Sequence, residues 1–276
     1  GVMAVDPVAL GYVLAATGPV RPDGKVLTSD NAAQFLLNGI YLDGTRTIGE
    51  QDDFFGEAAD AVFEALTEGT PNPSAALRAL MRASNEGRWR VWSSDPREQS
   101  VLSGTALSGE LVGERDGAPV VGVYLNDASA TKMSYYLDYS VTVDDATCQA
   151  GGVRGLTTTV DIASTAPAEA SGYPPYLAGK GQVAPGHAVT NVLVYSPAWG
   201  RIGAVTVDGV DYPFMGLYTH ENMDVAQLTI DLAPGESKQI VVGMETGGEG
   251  QELPAQISLT PGSRNAAQVV RDDSTC

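Results

Sequence analysis

Apolar and polar positions change rhythm partway along this chain, with a break in texture near residues 105–119. Before the break, helix start and stop signals are frequent. Three Asx-Pro pairs, Asp6-Pro7, Asn72-Pro73 and Asp95-Pro96, each set a capping side chain ahead of a proline at the first helical position, which predicts a helix opening at each. Gly18, Gly39, Gly69, Gly87 and Gly104 fit helix ends. Phe55, Ala59, Val62, Phe63 and Leu66 follow helical spacing and predict one apolar, core-packing face on a helix over about 52–67.

After the break the period falls to two. Tyr135, Leu137, Tyr139, Val141 and Val143 alternate with mostly polar residues, the pattern of a half-buried antiparallel strand. Further strands are expected at 119–126, 154–165, 189–196, 201–207, 224–233, 237–244, 253–260 and 266–271, separated by turn residues such as Asp208-Gly209 and Ala233-Pro234-Gly235-Glu236. The latter is expected to close a hairpin between 228–232 and 238–242. Strands at this spacing predict an immunoglobulin-like β-sandwich. Between them, 166–185 is rich in Pro, Gly and Ala and reads as a long exposed loop carrying Tyr173 and Tyr176.

The chain opens on an apolar run, Gly1 to Val5, that meets Asp6-Pro7 at once. A strand followed directly by a capped helix belongs to the middle of an α/β domain, so sister strands and any signal or membrane anchor are expected upstream. The expected fold class is α+β, with 1–112 a helix-rich C-terminal portion of an α/β domain and 118–276 an antiparallel immunoglobulin-like sandwich. An apolar edge at 1–5 would invite aggregation if unpaired. Its expected partner is the upstream fragment of the same precursor or another copy of the chain.

Composition narrows the function. At 276 residues with 43% hydrophobic side chains, the chain can bury a sizeable core. A net charge of −18 argues against nucleic acid and anionic membrane surfaces, both of which would repel it. The two cysteines, Cys148 and Cys276, each follow an acidic, hydroxyl-rich run and lack metal or redox spacing. They are read either as a disulfide, worth about 3–5 kcal/mol by loop-closure entropy, or as two free thiols. A disulfide would put the protein outside the cytoplasm.

Catalytic signatures are missing. His187 and His220 have no metal or catalytic partner nearby in sequence, and no nucleophile elbow, phosphate loop, zinc motif or dinucleotide fingerprint occurs. The acidic loops at Asp43-Gly44, Asp52-Asp53 and 208–211 lack the alternating ligand spacing of a calcium site. No catalytic residue, metal or cofactor is therefore expected. Arg78, Arg82, Arg88, Arg90 and Arg97, interleaved with Trp89 and Trp92, form a local basic cluster. It reads either as an anion or glycan site, since guanidinium forks match phosphate, or as a solvated helix face followed by a strand with core tryptophans. Tyr173, Tyr176 and Trp199 read as exposed-loop carbohydrate contacts, or as packing against Pro174, Pro175 and Pro197.

Several runs together resemble a bacterial cell-surface family, domain of unknown function four-zero-one-two: 1–10, Ala16-Thr17-Gly18-Pro19-Val20, 27–31, Ser84-Asn85-Glu86-Gly87-Arg88, and 130–137, along with a terminal cysteine. Extended over the whole chain, the resemblance implies a membrane-anchored protein of high-GC Gram-positive bacteria whose bulk lies outside the membrane. Val2 to Val20 is more distantly similar to LytR-CpsA-Psr phosphotransferases, which attach glycopolymers to the cell wall. The stretch matching their pyrophosphate-binding arginines, 46–57, holds only Arg46. The expected role is that of an extracellular envelope protein, non-catalytic, which is structural, adhesive or binds a cell-wall glycopolymer. A phosphotransferase needing an N-terminal half and a carbohydrate-binding sandwich are the alternatives.

Overall fold

The computed structural model describes residues 1–68, 71–148, 152–179, 181, 183–212, 217–248 and 253–272, excepting the side chains of 146–148, 217 and 272. The chain divides into two compact units, Gly1–Glu110 and Leu111–Cys276. The proposed pairing of Cys148 with Cys276 lies outside the described residues, as does Gly69.

The first unit holds the helices. α1 (Pro7–Thr17), α3 (Ile48–Thr67), α4 (Pro73–Asn85) and α5 (Pro96–Leu102) are joined by α2, a stretch built of Ala32–Gln34, a π-turn Phe35–Gly39 and Ile40–Leu42. All three Asx-Pro pairs open helices as expected: the Asp6, Asn72 and Asp95 carboxyl or amide oxygens accept from Ala9, Ala75 and Arg97 N–H. Gly18, Gly87 and Gly104 take left-handed φ values beyond helix ends, but Gly39 lies within a helix. There φ is −58°.

α3 turns a different face inward than the spacing suggested. Gln51, Phe54, Ala58 and Val62 are buried, while Phe63 is 57% exposed. Two interleaved stripes, one residue apart, were available; the buried one lets Phe54 meet Phe35 edge-on at 5.6 Å within a core of Val13, Leu14, Leu27, Leu36 and Ile40. β1 (Val2–Val5) also departs from expectation. One edge of it pairs not with an upstream fragment or another copy but with β2 (Trp89–Trp92) of the same chain, antiparallel, in a two-stranded ribbon.

The second unit is built of two six-stranded sheets. One runs β10 (Leu217–His220), β11 (Met223–Leu232), β7 (Ala188–Tyr195), β4 (Ala118–Asp127), β13 (Gln256–Leu259), with β3 (Glu114–Arg115) also on β4. The other runs β14 (Ala267–Asp272), β5 (Leu137–Cys148), β6 (Arg154–Ser164), β12 (Ser237–Glu245), β8 (Arg201–Val207), β9 (Val210–Asp211). β13 joins β4 in parallel and β14 joins β5 in parallel, so both sheets are mixed rather than wholly antiparallel.

The expected hairpin at Ala233-Pro234-Gly235-Glu236 does not form. β11 pairs with β7 and β10, β12 with β6 and β8, and the turn is an arch from one sheet to the other. Leu228, Ile230 and Leu232 are buried on one arm, Ile240, Val242 and Met244 on the other. Period-two burial suits a hairpin and an arch equally. The arch is pinned to the end of β6, where Gly235 N–H donates to Ser164 C=O at 3.1 Å and Ser164 N–H to Glu236 C=O at 2.8 Å. The 166–185 segment is also not an exposed loop: a 3-10 turn at Ala168–Gly172 and a helical turn at Pro175–Ala178 bury Ala166, Ala170, Leu177 and Ala178.

Candidate binding surface

The arginine cluster of the first unit is largely neutralised. Arg88, 3% exposed, donates through Nη1 to Asp6 Oδ2 at 2.7 Å and through Nε to Glu86 Oε2 at 2.9 Å. Tyr12 OH also donates to Glu86 Oε2, at 2.7 Å, and Arg82 Nε to Oε1 at 2.8 Å, with the Arg82 guanidinium 3.9 Å above the Tyr12 ring. These five residues clamp the start of α1 to the end of α4. Burial pushes Glu86 up, yet the hydrogen bonds from Tyr12, Arg82 and Arg88 outweigh it and hold its carboxyl below the ordinary value. Arg90 donates to the Gly87 and Ala106 carbonyls, and Arg97 pairs with its own cap, Asp95.

Arg78 alone of the five is exposed with no partner among the described residues. Trp89 and Trp92 lie three apart on β2 and so face opposite sides of the ribbon; Trp92 is 52% exposed. The cluster therefore does not converge on an anion. A concave site of this unit, about 460 Å³, is acidic, lined by Asp23, Asp43, Glu50, Asp53 and Glu57 around Arg46, which is paired with Asp23 at 2.9 Å.

In the second unit the three predicted aromatics part company. Tyr173 and Tyr176 are half-buried, the first 6.4 Å from the Tyr136 ring, the second beneath Lys132 Nζ at 5.4 Å. Trp199 is 69% exposed and sits at φ +60°, a left-handed conformation unfavourable to a bulky side chain. Its backbone is held there. Trp199 N–H donates to Asn222 C=O at 2.7 Å, Gly200 N–H to Pro197 C=O at 2.9 Å, and a Cβ on Gly247 would stand 2.7 Å from the Trp199 Cβ, so only glycine admits the loop.

Asn222 belongs to the two-residue turn Glu221-Asn222, both at positive φ, that closes β10 onto β11. Trp199 is thus tied through its backbone to the turn that joins β10 and β11, while its Cβ lies against Gly247, just past β12. Strand register sets Tyr218, Val225, Tyr195 and Gly122 side by side across β10, β11, β7 and β4; the next line holds Gln227, Leu193 and Tyr124, and the one after it Thr229, Asn191 and Asn126. Tyr195 lies 5.5 Å from Tyr124, edge to face, and 6.2 Å from His220. Gly122 makes the pairing possible, because a Cβ there would stand 2.8 Å from the Tyr124 ring.

The face grades from rings to amides. Tyr218 is 55% exposed, and His220, Gln227, Thr229 and Asn126 are exposed as well; Tyr124, Tyr195, Leu193 and Asn191 are half-buried, and Val225 and Gly122 are buried. Burial first, then Tyr124, pushes the Tyr195 phenol above its ordinary value, so it keeps its proton at neutral pH. Tyr124, Tyr195, Tyr218 and His220 come from three distant stretches of the sequence. Their shared outward parity emerges only once strand register is known. Among the described residues, no three His, Cys, Asp or Glu side chains are placed to hold a metal ion, and no helix is long and apolar enough to cross a membrane.

Solved structures resemble parts of this chain. A protein described as nutrient-binding from Legionella pneumophila aligns with 45% of this chain and 43% of its own at 9% identity and a TM-score of 0.28. An M1 zinc metallopeptidase from Deinococcus radiodurans aligns with 40% of this chain and 20% of its own at 14% identity and a TM-score of 0.21. The chain spans less than half the length of either, and likenesses this distant carry no argument. No curated protein matches the chain. Residues 1–41, from β1 through most of α2, match the model of a family described as "Protein of unknown function (DUF4012)".

Proposed function

We propose that this protein is a non-catalytic, extracellular envelope protein that binds an envelope polymer, and that a neutral glycan strand lies on Tyr218, Tyr195 and Tyr124 and on Trp199, whose loop is bonded to the β10–β11 turn. The observation that carries the reading is Trp199 itself: a large, 69% exposed indole kept at φ +60° by a loop that fixes its backbone. Exposed aromatic surface held against a conformational cost is surface held for contact. Tyr rings offer flat apolar faces with a hydroxyl at the rim. The neighbouring Gln227, Thr229, Asn191 and Asn126 offer uncharged donors and acceptors, as a polyhydroxylated chain needs. An open face, rather than an enclosed pocket, suits a polymer over a small molecule. The net charge of −18 disfavours a polyanion.

The same reading takes in a whole-chain relationship to the matched family, an immunoglobulin-like arrangement of the second unit, a membrane-anchored precursor, and a Cys148–Cys276 disulfide. The competing phosphotransferase reading calls for an arginine-lined pocket; the concave site around Arg46 has that arginine among five carboxylates, already paired with Asp23. The test is affinity electrophoresis through gels cast with neutral cell-wall glycan. Retardation of the wild-type protein, reduced about tenfold or more in affinity by Tyr218→Ala, supports the reading. Equal mobility with and without every neutral glycan overturns it.

A further inference from the structure

Within the β1–β2 ribbon, β1 is exposed on both faces and along one edge. Asp6 N–H donates to Arg88 C=O at 3.1 Å, and Ala4 stands opposite Arg90. Bonded pairs recur at every second residue of an antiparallel ladder, so Val2 and Ala4 turn their backbone groups toward β2, while Met3 and Val5 turn theirs away. The far edge of β2 is engaged at Val91, whose N–H donates to Leu107 C=O at 2.9 Å. The outward groups of Met3 and Val5 have no partner among the described residues. Val2 (60% exposed) and Trp92 (52%) share one face, Met3 (59%) and Val5 (49%) the other.

Two strands make a marginal sheet, and an apolar open edge is a template for another strand. We propose that β1 adds the β1 of a second copy, antiparallel, about a two-fold axis at Ala4. In that register Met3 and the partner's Val5 exchange both N–H···O=C bonds, and Val5 and the partner's Met3 do the same, so all outward groups of both strands are satisfied. Ala4 meets the partner's Ala4 in the non-bonded pair, where side chains approach most closely. The smallest side chain of β1 is thus at the tightest point.

The chemistry of the edge selects this occupant. Both faces of β1 are apolar, so an added strand must be apolar on both faces too, and an ordinary amphipathic strand would leave polar groups against Val2 or Met3. β1 is itself such a strand. Residues 1–5 carry no charged side chain, so two copies meet there without like charges despite the acidity of the chain, and Asp6 at the strand's end is held by Arg88 at 2.7 Å. The product is a four-stranded sheet ordered β2–β1–β1–β2.

Light scattering on the eluting full chain, from about 1 to about 200 µM, tests this by mass action. The expected result is a concentration-dependent dimer whose midpoint rises about tenfold or more in Met3→Pro, which deletes an outward N–H and leaves the bonds to β2 intact. Met3→Lys, which charges the edge without altering the backbone, is expected to act likewise and covers the case in which the proline variant misfolds. A wild-type monomer throughout overturns the proposal, as does a dimer that both variants leave intact. A monomer that instead binds a synthetic apolar strand peptide assigns the edge to a different partner and overturns the second-copy assignment.

Discussion

Trp199 can be removed in two ways that separate folding from binding. With 69% of its surface exposed, the indole takes on the order of 60 Å² out of water, worth about 1.5 kcal/mol at 25 cal/mol per Å². Trp199→Ala loses that burial and keeps a side chain in the left-handed region, where non-glycine residues pay about 1–2 kcal/mol. Trp199→Gly loses the same burial and relieves the strain, offset by about 0.4–1 kcal/mol of extra freedom in the unfolded chain. The alanine variant is therefore expected to destabilise the second unit by about 1.5 kcal/mol and the glycine variant by about 1 kcal/mol. Both are expected to weaken glycan binding by about tenfold or more. Urea unfolding followed by circular dichroism gives the stabilities and affinity electrophoresis the binding. A cost above about 3 kcal/mol for Trp199→Ala would make the indole a structural anchor. A glycine variant less stable than the alanine one would refute the strain argument.

Arg88→Met removes a guanidinium whose side chain is 1% exposed, leaving Asp6 without its ion-pair partner and Glu86 with Tyr12 and Arg82 alone; about 3 kcal/mol is expected, discounted because both acids are about a quarter exposed. In a Trp199→Phe background, Trp89 and Trp92 fluorescence reports on the first unit, and a urea midpoint shift under about 0.3 M would contradict the clamp. Glu86 is held below its ordinary 4.5, so the stability it contributes when ionised is complete above that value and is lost as pH falls through the lowered native one. Melting temperature of the first unit should therefore fall more steeply below about pH 4.5 in wild type than in Glu86→Gln, and parallel profiles would count against the network. Gly122→Ala, which drives a methyl toward the Tyr124 ring, should lower glycan affinity severalfold for about 1–2 kcal/mol of stability; unchanged affinity would remove Tyr124 from the site.

Local signals were legible wherever one side chain acts on its own backbone. The Asx-Pro caps at Asp6, Asn72 and Asp95 are of this kind, and so is the alternation that marks β4, β6, β7 and β11 within a residue or so of their ends. Pairing was not legible. Period-two burial is identical in a hairpin and an arch, so Ala233 to Glu236 reads as either until Leu232 is seen opposite Ala188 and Ser237 opposite Ala163. Nor does an apolar run disclose its neighbour: β1 resembles a strand of a parallel sheet and pairs antiparallel with a segment over eighty residues away. The same gap hid the proposed binding face, whose rings come together through the β10–β11–β7–β4 register. Of the arginines, Arg88 was visible as a charge, but its burial between Asp6 and Glu86 depends on how α1 meets α4.

The glycan-binding account is tested most directly by a fluorescence titration of the Trp89→Phe, Trp92→Phe protein, in which Trp199 is the sole indole, against a soluble neutral hexasaccharide of cell-wall type. A saturable change in Trp199 emission with a dissociation constant between about 10 µM and 1 mM, weakened about tenfold or more by Tyr218→Ala and not reproduced by a polyanionic glycan, is the predicted result. Unaltered emission at millimolar concentrations of every neutral oligosaccharide, with the protein folded, would contradict it.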